Sequence, residues 1–207
     1  MGLLSSSVSM TRYMVDGELK KPILETIAAG LKKYSIVDID NDPTETSVGW
    51  TSFNKPFQPD FNDSSFVVGT YLVFSLRLDK KNIPSKIIKK YFSLEVEKKL
   101  KESGREYLSR NEQKIIKDHI INFLSVKIPA TPNIYDIIWN YENKNICFFS
   151  NLKGANEALE TLFNKTFHIN LIRLFPYTIA DLKTGLSTKE RDCLAKLNST
   201  NLSSLVD

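Results

Sequence analysis

The chain has 207 residues, of which 42% are hydrophobic and 11% aromatic, and this composition predicts a folded protein with a substantial core. Its formal net charge is only +4, and no stretch approaches the roughly 18 apolar residues that a membrane-spanning helix needs. The two cysteines have no CxxC partner, which argues against a disulfide framework and a structural zinc site. We therefore expect a cytoplasmic protein with no membrane partner, no bound metal and no cofactor.

The first 79 residues are predicted to form strands around one helix. Alternating residues predict a strand over residues 6–15, and Pro22 then opens a helix with one apolar face. Short strands are predicted over residues 35–40 and 48–53. The stretch FVVGTYLVFSLRL, residues 66–78, is rich in β-branched and aromatic residues and predicts the longest strand.

Two consecutive helices are predicted between residues 84 and 125, with a break near Gly104. Pro84 suits the first turn of the first helix, where a missing backbone N–H costs nothing. Ser109 and Glu112 form the S-x-x-E capping box of the second helix. The change from strand pattern to helix pattern indicates an inserted helical pair.

Strands and helices alternate again in the last part of the chain. A hairpin is predicted from strands at residues 134–141 and 146–150, joined by the turn ENKN. A helix over residues 155–163 and a strand over residues 168–174 follow. Ser187 and Glu190 form a second capping box, which predicts a short final helix.

These elements predict an α+β fold with an antiparallel-rich β-sheet centre, packed helices and an inserted helical-pair tip. Residues 1–79 and 128–182 would form a discontinuous central domain, and residues 80–127 the tip. Residues 183–207 would form the short helix and a polar tail, whose last ten residues have no strong pattern and are predicted to be disordered.

Positive charge is concentrated in the predicted tip. Residues 80–127 contain thirteen Lys/Arg and six Asp/Glu, a net charge of +7, whereas the rest contains fifteen and eighteen, a net charge of −3. The stretch KKNIPSKIIKK, residues 80–90, holds five lysines and no acid. Helical spacing places Lys86, Lys89 and Lys90 opposite an apolar face, and the second helix carries a basic edge formed by Arg110, Lys114 and Lys117.

Two interpretations of this charge remain open. Lysines keep exposed helices soluble, so the basic surface could be a solvated face without a partner. The local excess and the missing acids favour instead a polyanion that neutralises the repulsion. Lysine-rich chemistry addresses phosphates rather than base edges, so DNA binding would be largely independent of sequence.

Acidic residues give a weaker indication of chemistry. Asp38 and Asp40 have the spacing that begins a calcium loop, but the glycine and the bidentate glutamate that such a loop requires are missing. A nuclease needs clustered carboxylates to hold Mg²⁺. Asp60 and Asp63 could join Asp38 in three dimensions, although nothing in the sequence shows that they do. We expect no catalytic residue and no metal site, and we keep a metal-dependent exonuclease as an alternative.

Five stretches in chain order resemble the bacterial RdgC family of recombination-associated proteins, over about residues 3–180. They are SVGWTSF, YLVFSLRLDKKNIPSKIIKK, GREYLSRNEQKIIKDHI, YDIIWNYENKNICFFSN and LFPYTIA. The resemblance is to a short member without the usual C-terminal extension. It implies sequence-independent DNA binding, a ring-shaped homodimer with a positive inner surface, and competition with RecA for DNA.

The resemblance also matches Arg77 and Lys81 to basic positions where the family's tip begins, and Lys127 to one where it ends. Ile128 stands where the family often has an aromatic residue. The leading hypothesis is a non-enzymatic, nucleoid-associated protein that binds DNA, preferably duplex, and modulates recombination. The other alternative is an interaction module with an acidic protein partner. The predicted DNA-binding residues are Arg77, Lys80, Lys81, Lys86, Lys89, Lys90, Lys98, Lys99, Arg110, Lys114, Lys117 and Lys127.

Overall fold

The computed structural model describes residues 2–62 and 65–197, apart from the side chains of residues 183 and 184. The predicted polar tail, residues 198–207, lies outside the described residues. The strands are β1 (Thr11–Asp16), β2 (Thr46–Thr51), β3 (Val67–Val68), β4 (Tyr71–Lys80), β5 (Thr131–Asn140), β6 (Asn145–Phe148) and β7 (Asn170–Leu174). The helices are α1 (Ile23–Lys33), α2 (Ser85–Ser103), α3 (Arg110–Lys127), α4 (Lys153–Phe167), α5 (Pro176–Thr184) and α6 (Thr188–Lys196).

All seven strands belong to one curled antiparallel sheet in the order β2-β4-β5-β6-β1-β7, and β3 pairs with β4. The two long central strands, β4 and β5, pair from Leu72 with Trp139 to Lys80 with Thr131. The predicted α+β fold with an antiparallel sheet centre is therefore confirmed. None of the helices in the described residues combines the length and the apolar composition that crossing a bilayer requires.

Strand alternation explains how the sheet separates a core side from a polar side. On β4, the even positions Leu72, Phe74 and Leu76 are at most 1% exposed and belong to the main core. The odd positions point to the other side of the sheet, where Arg77 and Asp79 form an ion pair. One strand thus supplies both core packing and a largely buried ion pair near the start of the helical pair.

Helices α1 and α4 cover the core side of the sheet. Ile27 of α1 and Phe163 of α4 are completely buried in the main core. The two helices approach closely at Gly30, where a Cβ atom would lie 2.8 Å from Thr166 Cγ2 and 2.9 Å from Phe167 Cε1. A glycine is therefore needed at this position because any side chain would push α1 away from α4.

The tip consists of α2, α3 and the loop between them, and it has a small core of its own. Leu108, Ile116, Ile120 and Leu124 are buried together at the centre of this cluster. From α2, an apolar stripe at intervals of four residues packs against them. The stripe consists of Ile88, Phe92, Val96 and Leu100.

The two predicted tip helices are confirmed, although Pro84 is the N-cap of α2 rather than part of its first turn, and α3 continues to Lys127. Gly104 ends α2 in the left-handed conformation with φ 64°, which glycine adopts without strain. Ser109 begins α3 with the predicted capping box, since its hydroxyl accepts from Glu112 N while the Glu112 carboxylate accepts from Ser109 N. Local sequence therefore determines both helix boundaries.

The main differences from the structure are two predicted strands and one helix that was not predicted. Residues 66–78 do not form one strand, because a turn at Gly69, with φ 60°, divides them into β3 and β4. Residues 35–40 form no strand; their contact with the sheet is a parallel bridge between Ser35 and Trp50. Helix α5 was not predicted, although Pro176 at its first turn is a recognised start signal.

The capping box of α3 gives a prediction about pH. Hydrogen bonds from the Ser109 backbone and hydroxyl, and one from Arg105, lower the pKa of Glu112 from 4.5 to about 2. Because the folded-state pKa is the lower one, this contribution to stability is complete above about pH 4.5. It is lost as the pH falls towards 2. Carboxyl carbon chemical shifts in a pH titration should show Glu112 still ionised at pH 3.

Ser109→Ala tests the cause of this pKa shift. Without the hydroxyl, the pKa of Glu112 should rise part of the way towards its ordinary value, because the larger contribution, the hydrogen bond from the Ser109 backbone, is retained. Glu190 is the internal control, because the equivalent hydrogen bonds from Ser187 lower its pKa as well and should be unaffected. If Glu112 of the wild type titrates near pH 4.5, the hydrogen bonds of the capping box are not formed in solution.

Candidate nucleic-acid interface

Helix α2 places its lysines in solvent. Its nineteen residues are all described, and none is buried. Lys86, Lys89 and Lys90 are exposed, and the first turn contains no acidic residue. Cations near a helix N-terminus are opposed by the helix dipole, so these lysines do not stabilise the helix that carries them. A bound anion would relieve both the unfavourable dipole interaction and the mutual repulsion.

Helix α3 contributes a second set of cations on the same side of the tip. Its basic residues follow at intervals of four and three, and each is exposed. Each helix of the pair has a stripe of residues that contacts the other helix. When the helices are antiparallel, residues that follow this stripe in the same direction of rotation on each helix lie on one shared surface of the pair. This phase places two lysines of α2 on the same surface as the basic edge of α3, but towards the other end of the pair, because Tyr91 of α2 packs against Phe123 of α3. We call the combined surface the basic face: Lys86, Lys89, Arg110, Lys114 and Lys117.

The opposite side of the tip is apolar. The rings of Tyr91 and Phe123 are 6.4 Å apart between centroids, which joins the two helices across this surface. Its side chains are between 37% and 64% exposed although each is large and apolar. We call it the apolar face: Ile87, Tyr91 and Leu94 from α2, and Ile115, Phe123 and Val126 from α3.

Lys81 is not available for a ligand in this structure. It is 5% exposed, and its Nζ donates hydrogen bonds to three backbone carbonyl oxygens. These are Asp40 O at 3.1 Å, Asp42 O at 2.7 Å and Ser125 O at 2.5 Å. The ammonium thus joins the end of β4, the loop before β2 and the C-terminal turn of α3. Its geometry supports a role in positioning the tip, rather than a phosphate contact.

Arg77 is likewise engaged within the fold. Its Nε and Nη2 donate to the two carboxylate oxygens of Asp79, at 2.7 and 2.6 Å. The side chains of Arg77 and Asp79 are only 11% and 1% exposed. The guanidinium also lies 5.3 Å from the centroid of the Phe57 ring. Both the charge and the hydrogen-bonding capacity of Arg77 are therefore largely satisfied by neighbours.

Four further predicted residues lie at the surface. Lys80, at the end of β4, is exposed although its neighbour Lys81 is buried. Lys98 and Lys99 are exposed on the second half of α2. Lys127 is exposed at the end of α3, with its Nζ 4.0 Å from the Phe123 ring centroid. All four are sterically able to meet an anion.

The acidic residues considered for metal binding stabilise loops. Asp38 Oδ1 accepts from Asp40 N at 2.9 Å, and Asp40 Oδ1 accepts from Ala130 N at 2.8 Å. Asp60 Oδ1 accepts from Asn62 N, and Asp63 lies outside the described residues. Within the described ranges, no group of three or more His, Cys, Asp or Glu side chains is arranged to hold a metal ion.

The candidate site is therefore the exposed, positively charged surface of the helical pair. No protein-family model matches the chain, and no curated protein matches it.

Proposed function

We propose that the protein binds DNA through the basic face of its tip, without enzymatic chemistry and without reading sequence. The observation that carries this proposal is the exposure of Lys86, Lys89, Arg110, Lys114 and Lys117 on one side of an antiparallel helix pair. Such a surface matches the repeating charge of a phosphate backbone, and contacts of this kind release counterions from DNA.

The balance of lysine over arginine supports backbone binding. Lysine is a compact point charge that meets a phosphate from many directions, whereas arginine is favoured for bidentate contacts to guanine. The basic face has four lysines and one arginine. We therefore expect affinity to depend strongly on salt and weakly on base sequence, with duplex DNA as the preferred form.

The biological role that we propose follows the resemblance to RdgC proteins. The protein would associate with the nucleoid and modulate homologous recombination by competing with RecA for DNA. The proposal includes a homodimer in which the apolar face of one tip covers that of a second copy. This arrangement would remove Tyr91 and Phe123 from water while leaving the basic face free for DNA.

A salt titration tests the central claim. Unrelated duplexes of equal length should bind with similar affinity, because phosphate contacts carry no sequence information. If 6–10 phosphates are contacted, affinity should fall by roughly 10³–10⁵ between 50 and 200 mM salt. Fluorescence anisotropy with several labelled duplexes measures both quantities.

Other outcomes would overturn this proposal or favour one of the alternatives. A flat salt response or a strong preference for one duplex would exclude binding through the basic face. Degradation of the same labelled DNA in Mg²⁺ or Mn²⁺, abolished by Asp38→Ala or Asp40→Ala, would establish the exonuclease alternative. If the protein binds an acidic protein and duplex DNA does not compete with that binding, the result favours the interaction module.

A further inference from the structure

Phe57 occupies an unusual position for a phenylalanine, because it is exposed at the third residue of a rigid β-turn. The sequence Lys55-Pro56-Phe57-Gln58 forms a β-turn in which Gln58 N donates to Lys55 O at 3.2 Å. Proline at the second position restricts the turn conformation before any ligand arrives. Phe57 follows it and is 63% exposed. Most of the ring therefore faces solvent although its backbone is held in place.

Hydrogen bonds to the sheet and across the loop hold this turn. The hydroxyl of Thr51, a buried residue at the end of β2, donates to Pro56 O at 2.8 Å. At the base of the loop, Ser52 Oγ donates to Asp60 O and accepts from Asp60 N, both at 2.7 Å. The loop is thus closed at its base and tied to the sheet one residue before Phe57.

One side of the ring rests on a fixed cation. Arg77 Cζ lies 5.3 Å from the ring centroid, within the range of a cation–π contact. The bidentate ion pair with the buried Asp79 prevents the guanidinium from following a ligand. Arg77 therefore acts as a support for Phe57, and the exposed portion of the ring is left for another partner.

We propose that Phe57 is a stacking platform for an unpaired nucleobase, so that the protein also contacts single-stranded DNA. This inference rests on the proposed DNA-binding function and adds a ligand subsite outside the tip. Bases within a duplex already have neighbours on both faces, whereas an unpaired base offers a free π-face. An immobilised aromatic ring binds such a base with little loss of side-chain entropy and without sequence preference.

The test compares single-stranded and duplex DNA with three variants. The probes are a mixed-sequence single strand containing 2-aminopurine and a blunt duplex of equal length. Phe57→Ala should weaken single-strand binding roughly 5- to 150-fold, the equivalent of the 1–3 kcal/mol that base–aromatic stacking contributes. Phe57→Trp should retain the affinity, and Phe175→Ala controls for removal of an exposed aromatic elsewhere, since Phe175 is 48% exposed.

Two readouts distinguish stacking from a structural effect. Stacking involves no counterion release, so the salt dependence of Phe57→Ala should match that of the wild type. The 2-aminopurine fluorescence should be quenched by the wild type and by Phe57→Trp, but much less by Phe57→Ala. Thermal melts of all variants confirm that each is folded before binding is compared.

The outcomes separate this inference from the proposed function. If the wild type binds both probes and Phe57→Ala binds the single strand equally well, the stacking platform is wrong and the basic face stands. An equal loss on single strand and duplex would also overturn the platform, because a paired base cannot stack there. A wild type that binds neither probe overturns both proposals.

Discussion

The variant in which Lys86, Lys89 and Lys90 are all changed to glutamine is expected to bind DNA far more weakly on every sequence. Each lost phosphate contact should lower the slope of log affinity against log salt by about 0.9, so Lys86 and Lys89 of the basic face account for about 1.8, and the loss of Lys90 as well brings the total to at most roughly 3. At 0.1 M salt this corresponds to a loss of up to about 500-fold in affinity. Binding isotherms at several salt concentrations measure both effects.

The same variant should fold normally, because the three side chains are exposed and other residues of α2 contribute to the tip core. Exposed substitutions usually change stability by no more than about 0.5 kcal/mol each. Changing Lys32 and Lys33 to glutamine is the matched control, since these lysines lie on α1, far along the chain from the tip. If the triple variant melts and binds as the wild type does, the lysines of α2 form only a solvated face.

The fold was predictable where local sequence decides it. The capping box at Ser109, the left-handed glycine at Gly104 and the apolar stripe of α2 are all short-range features, and the structure confirms the helices that they predict. The two strands before the tip were less predictable. The turn at Gly69 interrupts a run of strand-forming residues, and residue type alone does not reveal a hairpin there.

The candidate site was predictable only in part. Periodicity predicts that Lys86, Lys89 and Lys90 lie away from the apolar residues of α2, and the structure leaves all three exposed. It cannot distinguish Lys80 from Lys81, because the difference depends on carbonyl groups from residues 40, 42 and 125 that meet only in three dimensions. Phe57 was missed for a similar reason, since its support by Arg77 joins a loop to a strand twenty positions later.

Because Lys81 is buried and Lys80 is exposed, we expect the second large effect, a loss of stability, from a substitution at Lys81. Lys81→Met keeps the length of the side chain but removes the charge and all three hydrogen bonds. Ser125 is buried, and a buried carbonyl without a donor costs about 1–3 kcal/mol, whereas the loop carbonyls of Asp40 and Asp42 are partly hydrated. Removing the ammonium also removes the cost of burying it, which offsets part of the loss.

We therefore expect Lys81→Met to lower the free energy of unfolding by about 1–3 kcal/mol. For a protein of this size the melting temperature should fall by roughly 2–12 °C. Lys80→Met is the adjacent control; because Lys80 is exposed, its stability should change by no more than about 0.5 kcal/mol. Calorimetry or thermal circular dichroism of the two variants measures the difference directly.

For DNA binding we expect the opposite ranking: Lys80→Met should have the larger effect and Lys81→Met the smaller one. Lys81 Nζ is bound to carbonyl groups inside the fold, so Lys81→Met, measured at a temperature where it is fully folded, should retain the wild-type salt dependence. Lys80 is free to meet a phosphate, and Lys80→Met should lower the slope by up to about 0.9. A Lys81 variant that melts like the wild type but loses salt dependence would mean that its ammonium leaves the carbonyl groups to bind DNA.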